Sequence, residues 1–154
     1  MRIAIGADHG GYILKKDIIV FLKKDNHTVK DFGTYSTKRC DYPLIGYKVA
    51  SNVVSGRFER GILICKTGLG MCMVANKVPG IRAALLHNVV SARSSRWHND
   101  ANIAVFSANS MNKNKAREIL KVWLTTKFIG GRHARRIRQI EKIEEKIKRQ
   151  LLHG

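Results

Sequence analysis

Acidic residues, proline, aromatic side chains and cysteine are all scarce in this chain. Eleven Asp or Glu stand against 29 Lys or Arg over 154 residues, a formal charge of +18. Such a surplus favours anionic partners, whether a phosphorylated metabolite, a nucleic acid or a membrane surface. The basic residues are scattered, however, and thicken only from Arg132 to Arg149, where eight face three glutamates. A generally basic, solvated surface is therefore the simpler reading, and no nucleic-acid motif accompanies it. Two prolines and a hydrophobic fraction of 44% exclude a disordered or proline-rich chain. No apolar run approaches the ~20 residues needed to cross a bilayer. Met1 to Gly6 is too short for a secretory signal and leads straight into Asp8-His9, so a cytoplasmic protein is expected. Three cysteines, Cys40, Cys65 and Cys72, are an odd count without paired spacing and fit reduced thiols in that compartment. The chain has no C-x-x-C, and its histidines include no close pair on one helical face, so no metal site is expected.

What is present is alternation. Arg2 to Ala7 is a short apolar run, and Tyr12, Ile13, Leu14, Ile18, Phe21 and Leu22 then recur at helical spacing. Strands are expected at His27–Phe32, Gly61–Cys65, Ile81–Leu86 and Ala101–Phe106. Helices are expected from Pro43 to Val54, from the Gly68-Leu69-Gly70 turn through Ala75, over Val89–Trp97 and Asn112–Lys127, and after Gly130-Gly131. Strands separated by helices in this manner predict an α/β fold with a parallel sheet covered on both faces. No linker divides the chain, so residues 1–154 are expected to form one domain. Ligands in such sheets gather at the carboxyl ends of the strands.

Three segments there or nearby carry chemistry. Cys65-Lys66-Thr67-Gly68-Leu69-Gly70 puts a thiol at a strand end, before a turn whose amides and helix dipole favour an anion or a developing oxyanion. A lone cysteine ending a core strand is as readily a small buried hydrophobe. Asp8-His9-Gly10-Gly11 follows the first strand and offers a carboxylate and an imidazole for sugar hydroxyls or a phosphate. His98-Asn99-Asp100 ends a helix, where a histidine also complements the dipole. In addition, Arg132 and Arg136 share one face at the start of the last helix and oppose its dipole, an arrangement that a bound phosphate would relieve. Behind them Ile137, Ile140, Ile143, Ile147 and Leu151 form an apolar stripe that must dock on this domain or on a second subunit.

Read together, G-A-D-H-G-G at the start, D-F-G-T at Asp31, D-Y-P at Asp41, G-I-L-I-C at Gly61 and T-G-L-G at Thr67 resemble the ribose-5-phosphate isomerase B family, which includes galactose- and allose-6-phosphate isomerases. A-N-K at Ala75, G-I-R-A at Gly80, S-R-W-H-N-D at Ser95 and G-G-R-H at Gly130 continue the match in order. The resemblance implies a Rossmann-like three-layer αβα sandwich with a five-stranded parallel sheet. It implies interconversion of ribose 5-phosphate and ribulose 5-phosphate through an enediolate in the pentose phosphate pathway, with no metal and no organic cofactor. It also implies homodimers, sometimes paired into tetramers, whose active sites use both subunits; the last helix, about 132–152, would then pack on the partner.

By position, Cys65 resembles the base that takes the proton beside the carbonyl. Thr67 and the amides of Gly68, Leu69 and Gly70 would hold the enediolate oxygen, and His98 would assist ring opening. Asp8, Tyr42 and Asn99 would contact the sugar, while His9, Arg132 and Arg136 would hold the phosphate. Three departures stand out. Lys66 replaces a glycine usual in the family; it is either strained, if the position needs positive φ, or an added charge near the substrate. Asn109 stands where an arginine is common. Met71 occupies the place where some relatives carry a glutamate base, which leaves Cys65 as the base in this loop. The alternatives are a hexose-6-phosphate isomerase, a basic nucleic-acid-binding module, and a catalytically silent scaffold.

Overall fold

Residues 1–153 are described by a computed structural model in which five strands alternate with helices. The elements are β1 (Arg2–Ala7), α1 (Tyr12–Lys24), β2 (Thr28–Asp31), α2 (Pro43–Val54), β3 (Arg60–Cys65) and α3 (Leu69–Ala75). They continue with β4 (Ala83–Leu85), α4 (Val89–Trp97), β5 (Ile103–Ser107), α5 (Lys113–Thr125) and α6 (Arg132–His153). All strands are parallel, in the order β2-β1-β3-β5-β4. This is the parallel sheet covered on both faces that the alternation predicts, and the five-stranded Rossmann-like sandwich that the resemblance implies.

The period-two geometry of a strand sends successive side chains to opposite layers. Ile3, Ile5, Ile62, Ile64 and Phe106 pack with Leu14, Ile18 and Leu22 of α1 and with Ile119, Leu120 and Trp123 of α5. Ala4, Leu63, Cys65 and Val105 pack on the other face with Val49 and Val53 of α2 and Met71 and Ala75 of α3. Each fully buried Ile or Leu contributes roughly 1.5–3 kcal/mol, so both layers hold the sheet, and Cys65 belongs to the α2–α3 side.

Three boundaries differ from the expected ones for local reasons. β4 is confined to Ala83–Leu85, because the Ile81 amide turns back to Val78 O (3.0 Å) and the Arg82 amide donates to the Asn102 side chain (2.8 Å). β5 begins at Ile103, since the Ala101 amide closes the end of α4 on Ser95 O at 2.9 Å. β2 is the half-exposed edge strand, Thr28–Asp31.

α6 buries side chains in its first two turns. His133 and Ile137 are buried, and Glu144 further along accepts the Gly80 amide at 2.9 Å. Ile140, Ile143, Ile147 and Leu151 of the expected stripe are exposed in the single chain. No described helix is long and apolar enough to cross a membrane.

Candidate active site

Chain direction across the sheet reverses between β1 and β3, so their carboxyl ends flank a crevice. Asp8 and Cys65 lie at those ends, and both are buried. The Asp8 amide donates to Ile64 O (3.2 Å), and its Oδ1 accepts the Gly11 amide (3.0 Å), which fixes the carboxylate at the start of α1. The Cys40 amide donates to His9 Nδ1 at 3.3 Å. The same Nδ1 lies 3.2 Å from the Cys40 carbonyl oxygen, so the Cys40 backbone holds the ring in place.

Cys65 is held on both sides of its backbone and at its sulfur. Its carbonyl accepts the Ala108 amide (2.9 Å), and its Sγ accepts the Gly68 amide (3.1 Å). Gly68 takes φ +78°, and a Cβ there would press on Phe106 O at 3.2 Å, so the turn requires glycine. Thr67 Oγ1 accepts the Leu69 amide at 3.3 Å and caps the first turn of α3. The Tyr42 hydroxyl would stand 2.8 Å from a Cβ at Gly70, so its ring closes the crevice against that turn. Asp8, Tyr42, Cys65, Lys66, Thr67, Gly68, Leu69 and Gly70 therefore gather at one place. Lys66 lies outside the positive-φ region, where the only described non-glycine residues are Asn26 and Asp100. Of its two readings, the strained backbone falls and the added charge stays.

The remaining predicted residues gather elsewhere. His98 ends α4, its ring stacked on Trp97 (5.5 Å between centroids) and on His133 (4.4 Å). Arg132 Nε donates to His133 Nε2 at 3.4 Å. Burial, and after it the charges of His98, Arg132 and Arg136, push the His133 pKa below the ordinary imidazole value. Beside this stack Asp100, at φ +45°, accepts Arg96 Nη1 on Oδ1 (2.6 Å) and Arg82 Nη2 on Oδ2 (3.1 Å). Asn99 lies between His98 and that ion pair, on the rim of a cavity of about 390 Å³ under α6.

These two groups lie at opposite ends of the strands. α4 starts beyond the end of β4 and runs back, so His98 arrives near the start of β5. Ile103 there pairs in register with Gly61, whereas Cys65 pairs with Ser107. Gly61 to Cys65 spans about 13 Å at 3.3 Å per residue. One chain thus does not bring Cys65 together with His98, Asn99, Arg132 and Arg136. His133 is the residue that sequence reasoning passed over; its only signal was its place in G-G-R-H, between two features assigned to the arginines.

A family profile described as Ribose/Galactose Isomerase matches residues 3–140. The ribose-5-phosphate isomerase B of Escherichia coli K12 is 41% identical over 145 residues, covering 94% of this chain and 97% of that protein. The solved ribose-5-phosphate isomerase B of Clostridium thermocellum is 52% identical, with a TM-score of 0.94 over 96% of this chain and 99% of that one. The Mycoplasma genitalium enzyme, solved with bound ribulose-5-phosphate, is 39% identical with a TM-score of 0.89, covering 94% and 96%.

Proposed function

The chain belongs to the ribose/galactose isomerase family, and from that premise we propose that it interconverts ribose 5-phosphate and ribulose 5-phosphate. The observation that carries the reading is the Cys65 thiol, fixed by the Gly68 amide at the mouth of the β1–β3 crevice, with Asp8 opposite and the first turn of α3 beside it. Cys65 takes the C2 proton of the open-chain aldose. The electron pair moves through an enediolate to the carbonyl oxygen, and a proton returned to C1 gives the ketose. The hydroxyl proton passes from O2 to O1, so the step is redox-neutral within the substrate. A carbon acid of this kind needs both a base and stabilisation of the oxyanion. Thr67 and the turn up to Gly70 supply the second, with the Gly70 amide open to it while Gly68 and Leu69 donate to Cys65 Sγ and Thr67 Oγ1; Asp8, Tyr42 and Lys66 line the substrate space.

The opposite positions of Cys65 and His98 support a homodimer with two composite sites. In it, His98, Asn99, Arg132 and Arg136 of one subunit complete the crevice of the other. The exposed Ile140, Ile143, Ile147 and Leu151 of α6 support the same assembly, since a stripe of this kind is stabilised by burial.

Turnover of ribose 5-phosphate, measured beside allose 6-phosphate and with EDTA present, tests the reading. The pentose phosphate is expected to be preferred and EDTA to have no effect. Cys65→Ala is expected to abolish turnover while leaving the fold intact; retained turnover would remove Cys65 from the proton transfer.

A further inference from the structure

We propose that Lys66 is the cation through which the Cys65 half of the site grips the substrate's phosphate; the assignment rests on the sugar-phosphate reading above. Its backbone is locked: Lys66 O accepts both the Asn109 amide (3.0 Å) and Ser107 Oγ (2.8 Å). Its side chain lies across Gly10. A Cβ at Gly10 would collide with Lys66 Cγ and sit 3.3 Å from Cε, so glycine at that position is what lets the stem lie there. The same point is 3.4 Å from Asp8 Oδ1. The ammonium is thereby carried to the rim between the Asp8-His9 segment and the catalytic turn.

No carboxylate claims it. Asp8 Oδ1 is already engaged by the Gly11 amide, and among the described residues Lys66 forms no ion pair within 4.0 Å. The carboxylate at the start of α1 is Asp8, held by the Gly11 amide, and the first turn of that helix adds no acidic residue. The hydrogen bond from Asn109 to Lys66 adds a structural consequence. A long cation placed at position 109 starts beside Lys66 and reaches the same anion.

Lys66→Met keeps the aliphatic stem over Gly10 and removes the charge. The KM for ribose 5-phosphate is expected to rise roughly tenfold, with kcat held within about twofold. Competitive inhibition by inorganic phosphate is expected to weaken by a similar factor. Asn109→Arg in the Lys66→Met background is expected to restore most of both, a rescue that a merely structural role would not give. A fall in kcat at constant KM, or unchanged phosphate inhibition, would overturn the assignment. Calorimetric binding of inorganic phosphate separates this proposal from the functional one. Lys66-dependent binding by a wild-type protein that does not isomerise ribose 5-phosphate would sink the reaction and leave the anion grip standing.

Discussion

The imidazole of His98 lies face to face with that of His133, their centroids 4.4 Å apart and their planes 11° from parallel. Two protonated rings in that arrangement would repel, and Arg132 adds a donor to His133 Nε2 at 3.4 Å. The stack therefore requires a neutral His133. Its lowered pKa, caused first by burial and then by His98, Arg132 and Arg136, has the same sense.

The sign of the pH dependence follows. The unfolded chain binds a proton at His133 near pH 6.5, whereas the folded chain does so only at lower pH. The interaction is intact above about pH 6.5 and is lost as the pH falls from there toward the folded value. His133→Gln, which does not titrate, is expected to lose less stability than the wild type between pH 7.5 and 5. Urea midpoints at the two pH values measure this, and parallel losses would contradict it.

Asp100 is the next point of strain. It holds φ +45°, where a non-glycine residue costs of order 1–3 kcal/mol, and its carboxylate bridges Arg96 and Arg82. The Arg96 side chain is only 5% exposed, so removing its partner leaves a charge nearly without water. Asp100→Ala keeps the strain and loses the bridge, while Asp100→Gly loses both. The glycine variant is expected to be the more stable of the two in chemical denaturation, with both below the wild type. Equal stabilities would mean that the backbone there is not strained.

Much of this was legible in the chain. Buried parallel strands read as continuous apolar runs, which is why β1 and β3 are found where Arg2–Ala7 and Gly61–Cys65 announce them. The Cys65 turn was legible for the same reason: one short segment holds the strand end, the glycines and the helix start. The His98–His133 stack was not, because it joins the end of α4 to the start of α6, and no local pattern spans such a separation. The opposite positions of His98 and Cys65 were equally hidden, since they follow from the direction of α4 relative to β5 and not from the residues themselves. Lys66 needed its φ before its charge could be interpreted.

That separation makes a prediction about mixed subunits. Alone, Cys65→Ala is expected to be inactive toward ribose 5-phosphate and His98→Asn to be slower by ~10²-fold. When they are unfolded together and refolded, half of the proposed dimers would be mixed, and each mixed dimer would hold one composite site with both residues intact. About a quarter of wild-type activity is therefore expected at equal proportions. If Cys65 and His98 served the same site from one chain, every site in the mixture would lack one of them and no activity would return.

The ring-opening role proposed for His98 can be separated from proton transfer by choice of substrate. Ribose 5-phosphate closes to a furanose through its C4 hydroxyl, so it must be opened before C2 can be deprotonated. A tetrose 4-phosphate carries its phosphate on that same oxygen and cannot close, so it reaches Cys65 already open. If His98 moves the proton that opens the ring, His98→Asn should lower kcat on ribose 5-phosphate by ~10²-fold, within the usual range for a general acid or base. Turnover of erythrose 4-phosphate by the same variant should stay within a few-fold of the wild type. Cys65→Ala should abolish both, because either substrate needs its C2 proton removed. A His98 variant that loses the two activities in equal measure would instead make His98 a partner in the proton transfer or a support for the fold, and the thermal midpoint of that variant would tell these apart.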